Sequence, residues 1–441
     1  MLDKEYKTTL AQELKINDID FGKNILGPQA FLDYLSLLKK ENFAPGKRLD
    51  FETVDTFDNS NIDNGLFCAN LHVHTHYSDG TSDVKTILED SLKFAEKKPF
   101  LLGITDHDTV EGAKEALSIV SRDYNKYKNI KIVAGVEIST VGTHFKKQTG
   151  TLDIHTLLYG INPFDKRLNN FLDEKRRLKF SLAEEVLNKL KFALSELLSS
   201  LQITLSLEEA SKIHPMITKG QDEVSHPLKK YIYAKILFSY YVENNTFVLE
   251  RLKKYGVSEA LLSYEKPVQK YKKMFNNARY FYIYKNALEK YLSFLTGDKE
   301  QFVLNEIPEN IINNLLKAKM ICEENHPSLE NIQPAFSSFE ETLAFISSLD
   351  FGIISIAHPA RLKLSNINKD IRDFFSDFWA VYKKYGGDRA LCYEKYYQSY
   401  DRRKYFSYLE DIDAAAEKYS FLFTGGIDSH GDNVIRRCPY S

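Results

Sequence analysis

Leu71-His72-Val73-His74-Thr75-His76-Tyr77-Ser78-Asp79-Gly80 is the stretch on which the fold turns. An apolar run opens it and residues of the metal-ligand type close it. Positions i and i+2 of a strand share a face, so His72 and His74 present two imidazoles to one side near the strand's end. Asp79 follows in a turn marked by Asp-Gly, from which its carboxylate can swing toward the same side. A lone His-x-His pair is weak; recurrence of the pattern gives it weight.

The same texture returns along the chain. Apolar runs at 67–74, 100–105, 130–138, 154–159, 352–357, 390–393 and 421–427 mostly end in ligand-type residues. In Gly103-Ile104-Thr105-Asp106-His107-Asp108-Thr109 the run closes on Asp-His-Asp, which alone reads equally as a helix start capped by Asp108 or Thr109. Val133-Ala134-Gly135-Val136-Glu137-Ile138-Ser139 sets a carboxylate inside a β-branched strand. A buried Glu is costly unless a hydrogen bond, a cation or a metal compensates it. His155 and His358, each taken alone, read as satisfied core histidines. Gly426-Ile427-Asp428-Ser429-His430-Gly431 supplies a second i, i+2 pair, Asp428 and His430.

Helix-period segments lie between several of these runs. At 84–97, Val84, Ile87, Leu88, Ser91 and Leu92 fall on one face, with Thr81 or Ser82 as cap. Segments 111–122 and 412–419 are similar. Strands alternating with helices predict a parallel sheet or barrel. The C-terminal ends of barrel strands converge on one face. His72, His74, His107, His155, His358 and His430, with Asp79, Glu137 and Asp428, then predict a metal site with more donors than one ion takes and with Glu137 able to bridge two. Nitrogen and oxygen donors without thiolates suit Zn, Mn or Fe.

The remaining sequence bounds the function. Lys and Arg number 59 against 61 Asp and Glu in 441 residues, a formal charge of −2. That balance disfavours a dedicated polyanion binder, so no long duplex nucleic acid is expected as partner. It leaves room for a local basic patch over a small phosphorylated substrate. Cys68, Cys322, Cys392 and Cys438 form no Cys-x-x-Cys pair, which excludes a disulfide scaffold and a thiolate zinc knuckle. Residues 1–14 carry no apolar leader core, and no run of about 18 apolar residues occurs, so neither a signal peptide nor a membrane span is expected. A cytoplasmic location is the default expectation.

Residues 1–66 read as a polar N-terminal extension with one helix near 31–40. Residues 161–350 read as a helical insertion with helices expected at 165–201, 227–255, 268–295 and 308–324. Its tyrosines between 231 and 291 read as packing units, the competing reading being a stacking platform for single-stranded nucleic acid. Phosphate requires cations. Arg361 after Ala357-His358-Pro359-Ala360 is the first candidate, then Arg176 and Arg177, since Arg offers a fork of donors. For the arginine pair, and for Lys270, Lys272 and Lys273, the alternative is a solvated helix face.

The ordered motifs His72-Val73-His74, Ser78-Asp79-Gly80, Asp106-His107-Asp108, Gly135-Val136-Glu137-Ile138-Ser139, His155, Ala357-His358-Pro359 and Ile427-Asp428-Ser429-His430-Gly431 resemble the PHP (polymerase and histidinol phosphatase) family of metal-dependent phosphoesterases. The resemblance covers about 67–160 and 351–435. It reaches weakly into Glu174-Lys175-Arg176-Arg177 and into 333–344. It implies a distorted seven-stranded (βα), TIM-like barrel formed by 67–160 and 351–441 and interrupted by the insertion. It implies three divalent ions: one on His72, His74, Glu137 and Asp428, one on Glu137, His155 and His358, and one on Asp79, His107 and His430. The last three residues are those it marks for catalysis, with His76, Asp106 and Asp108 as supporting or acid candidates. The implied reaction is hydrolysis of a phosphate ester by a metal-activated hydroxide.

Among branches, the order of the motifs is most similar to the one acting on nucleoside 3′,5′-bisphosphates and short RNA 5′ ends. The sequence departs from that branch in its longer insertion, in the degenerate Ser225-His226-Pro227 and in Ile427-Asp428-Ser429-His430. The alternatives are a metal-containing regulatory or binding module, or a phosphatase on another small phosphorylated metabolite.

Overall fold

The computed structural model describes residues 2–16, 24–40, 68–95, 100–147, 150–214, 217, 225–244, 288, 290–292, 294–295, 337–362, 370–386, 389–397, 402–426 and 428–430. Helices α1 (Leu2–Leu14) and α2 (Pro28–Lys40) open the chain. They precede β1 (Cys68–Val73), α3 (Val84–Ala95), β2 (Phe100–Ile104), α4 (Glu111–Arg122), β3 (Ile130–Lys147) and β4 (Gly150–Tyr159). Helices α5 (Lys166–Ala193), α6 (Ser195–Ser200), α7 (Leu207–Ile213) and α8 (Ser225–Asn244) follow. The chain then returns to alternation with β5 (Ser337–Ser338), α9 (Phe339–Ser348), β6 (Ile353–Ile356), α10 (Ile371–Tyr385), β7 (Leu391–Tyr397), α11 (Arg402–Lys418) and β8 (Leu422–Gly426).

Each of the seven apolar runs forms a strand, in the order β1-β2-β3-β4-β6-β7-β8, with the two-residue β5 beside β3. The two ends of this sheet meet. Val73 bridges Ser429, the His74 N–H donates to the Ser429 carbonyl at 3.0 Å, and the Ser429 N–H donates to the His72 carbonyl at 3.2 Å. The result is a nearly closed seven-stranded barrel with helices around it. Gly426 permits that closure, since a Cβ there would lie 2.3 Å from the His72 Cβ and 2.6 Å from its nitrogen.

One expectation needs correction. The sheet is not all parallel: β4 runs antiparallel to both β3 and β6. Only two residues separate Lys147 from Gly150, too few for the crossover that a parallel pair requires. Glu137 and His155 therefore sit inside a long hairpin, with Ser139 opposite His155 and Glu137 opposite Leu157. The cap of α3 also differs, because Asp83 Oδ1, not Thr81 or Ser82, accepts the Thr86 N–H at 2.7 Å.

The start of the chain packs into the barrel's core. Tyr6, Leu10, Phe31 and Leu35 are fully buried, and the Tyr6 hydroxyl donates to the Ile161 carbonyl at 2.8 Å. Ile25 bridges Ile132, adding a short parallel pairing beside the start of β3, where β4 does not pair. The Asn59–Asn64 region lies outside the described residues.

The chain divides into two compact units, Met1–Arg176 with Gln333–Ser441, and Arg177–Ile332. The second is mainly helical where it is described. Ser206 caps α7 by accepting the Glu209 N–H, and Glu209 accepts from Tyr231, from Tyr291 at 3.1 Å and from Lys235 at 3.0 Å. Tyr231, Tyr233 and Tyr291 are buried within that unit. The expected helix 308–324, most of 268–295 and the Lys270–Lys273 group lie outside the described residues. Among the described residues, no helix is long and apolar enough to cross a membrane.

Candidate metal centre

The nine residues singled out by the sequence come from separate elements and meet at one place. His72 lies on β1, and His74, Asp79 and His107 on the segments after β1 and β2. Glu137 and His155 come from the β3–β4 hairpin, His358 from the residues after β6, and Asp428 and His430 from those after β8. Backbone pairing fixes the middle of this set. His107 bridges Glu137, the Asp108 N–H donates to the Glu137 carbonyl at 2.8 Å, and the Glu137 N–H donates to the Asp106 carbonyl at 3.1 Å.

Glu137 is the hub. Its Oε2 lies 2.9 Å from His72 Nε2, 3.1 Å from His74 Nε2 and 3.4 Å from His107 Nδ1. Its Oε1 lies 2.8 Å from His155 Nδ1 and 3.5 Å from His358 Nε2. Asp428 Oδ1 is 3.1 Å from His74 Nε2, and Asp79 Oδ2 is 2.7 Å from His430 Nε2 and 3.8 Å from His107 Nε2. Among the described residues, atoms able to hold a metal gather into three groups: His74, Asp79, His107 and His430; His72, His74, Glu137 and Asp428; and His107, Glu137 and His155. His72, His74 and Glu137 are fully buried, whereas the His430 side chain is 40% exposed. The centre thus has a closed floor and an open rim.

Electrostatics set the protonation of the metal-free cluster. Burial alone would push the His72 imidazole down, but the carboxylates of Glu137, Glu394 and Asp428 outweigh it and hold it at about 10. His74 is likewise depressed by burial and raised further by Asp79, Asp428 and Glu137. Burial pushes Asp79, Glu137 and Asp428 up, yet the surrounding imidazoles pull all three well below the usual carboxylate range. Such interleaving of acids and bases fits bound cations better than an apolar core.

The donor set supplies a more direct test. His72 Nε2 and His74 Nε2 lie 3.0 Å apart, a contact two imidazolium nitrogens would not tolerate. Among the described residues, the buried His107 Nδ1 finds no hydrogen-bond partner. Neutral imidazoles facing a shared cation relieve both conditions. The residues present fit divalent ions held by N and O donors.

Asp106 has a different part. It is fully buried and accepts from the Thr75 N–H at 2.7 Å, the Thr75 hydroxyl at 2.8 Å and the Ser78 hydroxyl at 2.6 Å. It therefore ties down the loop that carries Asp79. Burial raises its carboxyl, with Ser78, His74 and Thr75 opposing. Asp108 is buried at φ +48, with the Ser139 hydroxyl at 3.4 Å. His76 is half-buried.

Arg176 pairs with Asp173 on its own helix, Arg177 is exposed and belongs to the second unit, and the Arg361 side chain lies outside the described residues. Glu394 of β7 is a residue the sequence reading missed. Its Oε1 lies 3.0 Å from His72 Nδ1, and its Oε2 accepts the His358 N–H at 2.7 Å. The signal was available: Leu391-Cys392-Tyr393-Glu394 is an apolar strand run closing on a carboxylate.

Solved structures similar to the chain include the following two. One is an amidohydrolase from Chromobacterium violaceum with bound sulfate and no metal, at 16% identity and TM-score 0.42, covering 83% of this chain and 88% of that one. The other is a proposed metal-dependent phosphoesterase from Bifidobacterium adolescentis, at 14% identity and TM-score 0.42, covering 84% and 94%. Likeness this distant says nothing of activity. No curated protein matches the chain. The PHP domain model matches residues 70–296, more than half the chain and inclusive of His72, His74, Asp79, His107, Glu137 and His155. The chain belongs to the PHP domain family.

Proposed function

We propose that the chain is a metal-dependent hydrolase of phosphate esters, acting on nucleotides or short oligonucleotides. One observation carries the metal reading: every two of the three ligand groups share a residue, through His74, Glu137 or His107. Linked groups of this kind suit a multinuclear centre of three divalent ions (Mn, Zn or Fe). We assign His72, His74, Glu137 and Asp428 to one ion, Glu137, His155 and His358 to the second, and Asp79, His107 and His430 to the third. When bound, such ions neutralise phosphoryl charge, orient the group and lower the pKa of water.

The chain's own residues supply the rest. Glu137 turns one oxygen toward His72 and His74 and the other toward His155 and His358, so its carboxylate spans two sites. Asp79 and His430 occupy the open rim, where a phosphate ester meets the centre. Asp106 keeps the Asp79 loop in place. Arg361, Arg176 and Arg177 are assigned to the phosphate, since fixed guanidinium donors recognise its oxygens. The nucleotide preference is supported by the order of the sequence motifs.

The test is hydrolysis of nucleoside 3′,5′-bisphosphates and 5′-phosphorylated di- to tetranucleotides by the Mn²⁺- or Zn²⁺-loaded chain. Phosphate or mononucleotide should be released. His72→Ala and Asp428→Ala should each lower both bound metal and turnover by on the order of 100-fold, with circular dichroism unchanged. A loaded chain inert toward these substrates and toward simple phosphomonoesters overturns the reading, and tight binding without turnover would favour the binding module.

A further inference from the structure

We infer that Glu394 is a positioning residue of the metal centre, whose single carboxylate orients His72 through its ring and His358 through its backbone. The inference rests on the metal reading above and goes beyond its ligand set. Glu394 is 1% exposed and its side chain is fully enclosed. Its two oxygens meet residues of two different segments, one on β1 and one just after β6. Oε1 meets His72 Nδ1 at 3.0 Å and Oε2 accepts the His358 N–H at 2.7 Å.

Each contact has a consequence. An imidazole with a carboxylate on Nδ1 keeps that nitrogen protonated and offers Nε2 to an ion. In His72 that Nε2 is the atom lying 2.9 Å from Glu137 and 3.4 Å from Asp428. His358 has φ +29 and ψ 56, a left-handed conformation that a non-glycine residue adopts only when its surroundings impose it. The Glu394 acceptor supplies part of that constraint, and His358 Nε2 thereby comes to 3.5 Å from Glu137 Oε1.

The strand is built for this role. β7 pairs with β8 in register at Glu394–Thr424, then shifts, so that Tyr396 rather than Lys395 faces Gly425. Such a break in register alters the course of the strand beside the site. Tyr393 is paired with Ile356 of β6, which places Glu394 next to the chain turning into His358.

Glu394→Gln tests this directly, because it keeps the shape and removes the charge. Zinc affinity is read by competition with a chromophoric chelator, and bound zinc by elemental analysis, on the parent and the variant. The expected result is a variant with parent-like circular dichroism and an affinity about 10- to 100-fold lower. The second readout is the long-range ¹⁵N–¹H spectrum of His72 in the zinc-loaded parent, which needs no variant to fold. It should show Nε2 bound to zinc and Nδ1 protonated. A Glu394→Gln protein that is merely less heat-stable but binds zinc like the parent overturns the assignment, as does zinc on His72 Nδ1. A parent that takes up no zinc overturns the metal reading and this inference together, whereas a zinc-binding parent matched by its variant overturns this inference alone.

Discussion

His72 shows how much of the centre's behaviour is set by charge held at one residue. Its imidazole is buried, yet three carboxylates keep it at about 10 in the metal-free chain. The unfolded value is near 6.5, so the folded value is raised. The stability that His72 contributes is therefore complete below about pH 6.5 and disappears as pH rises through about 10. Asp79, Glu137 and Asp428 are lowered, so their contribution is present above about pH 4 and is lost as pH falls. Near neutral pH all these contributions coexist, and a metal must displace the His72 proton to bind. Zinc uptake by the metal-free chain at pH 7.5 should release roughly one proton or more. Titration calorimetry in two buffers of different ionisation enthalpy measures that number, and zero release would contradict the protonated His72.

At the scale of elements, closure of β1 against the chain after β8 decides whether the ligands meet. Gly426 is where that closure has no slack. An added methyl would meet the Cβ, nitrogen and Cα of His72, at 2.3, 2.6 and 2.9 Å, and a strand's backbone cannot step aside as a side-chain tip can. Gly426→Ala should cost about 1–3 kcal/mol and lower zinc affinity with it, because the misplaced residue, His72, is one of the proposed ligands. Thermal unfolding and chelator competition on the same sample check both, and a variant unchanged in melting temperature would show that the strands do not approach so closely. The seven strands were legible because each is a short apolar run, and most end on a ligand-type residue, as Leu71 to His74 does. The direction of β4 was also within reach, since two residues cannot make a crossover, but the apolar pattern of 154–159 is the same in either direction. The part played by the first helices was not legible. Tyr6 reaches Ile161 and Ile25 reaches Ile132, pairings that no local pattern encodes. Glu394 is hard to see in the sequence because the apolar run 390–393 stops at Tyr393, although alternation puts Cys392 and Glu394 on one face.

For the whole molecule, the long insertion between β4 and β6 has a kinetic price. Val73 must find Ser429, and β4 must find β6 across the insertion, before the barrel exists. Closing such long loops costs entropy before any contact repays it, and folds dominated by distant pairings form slowly. In the described part of the Arg177–Ile332 unit, α7 and α8 meet through a nearer pairing, Glu209 to Tyr231. The chain's single tryptophan separates the two processes. Trp379 lies on α10, in the unit that carries the ligands, with its ring 5.5 Å from Tyr419 and 5.8 Å from Phe421. Its fluorescence therefore reports the barrel, while far-ultraviolet circular dichroism reports helices of both units. On refolding from denaturant, a large part of the helical signal should return ahead of the Trp379 signal, with the lag set by barrel closure. Stopped-flow traces that coincide in both signals would place barrel closure and helix formation in one step, and with it would go the claim that the distant strand pairings limit the rate.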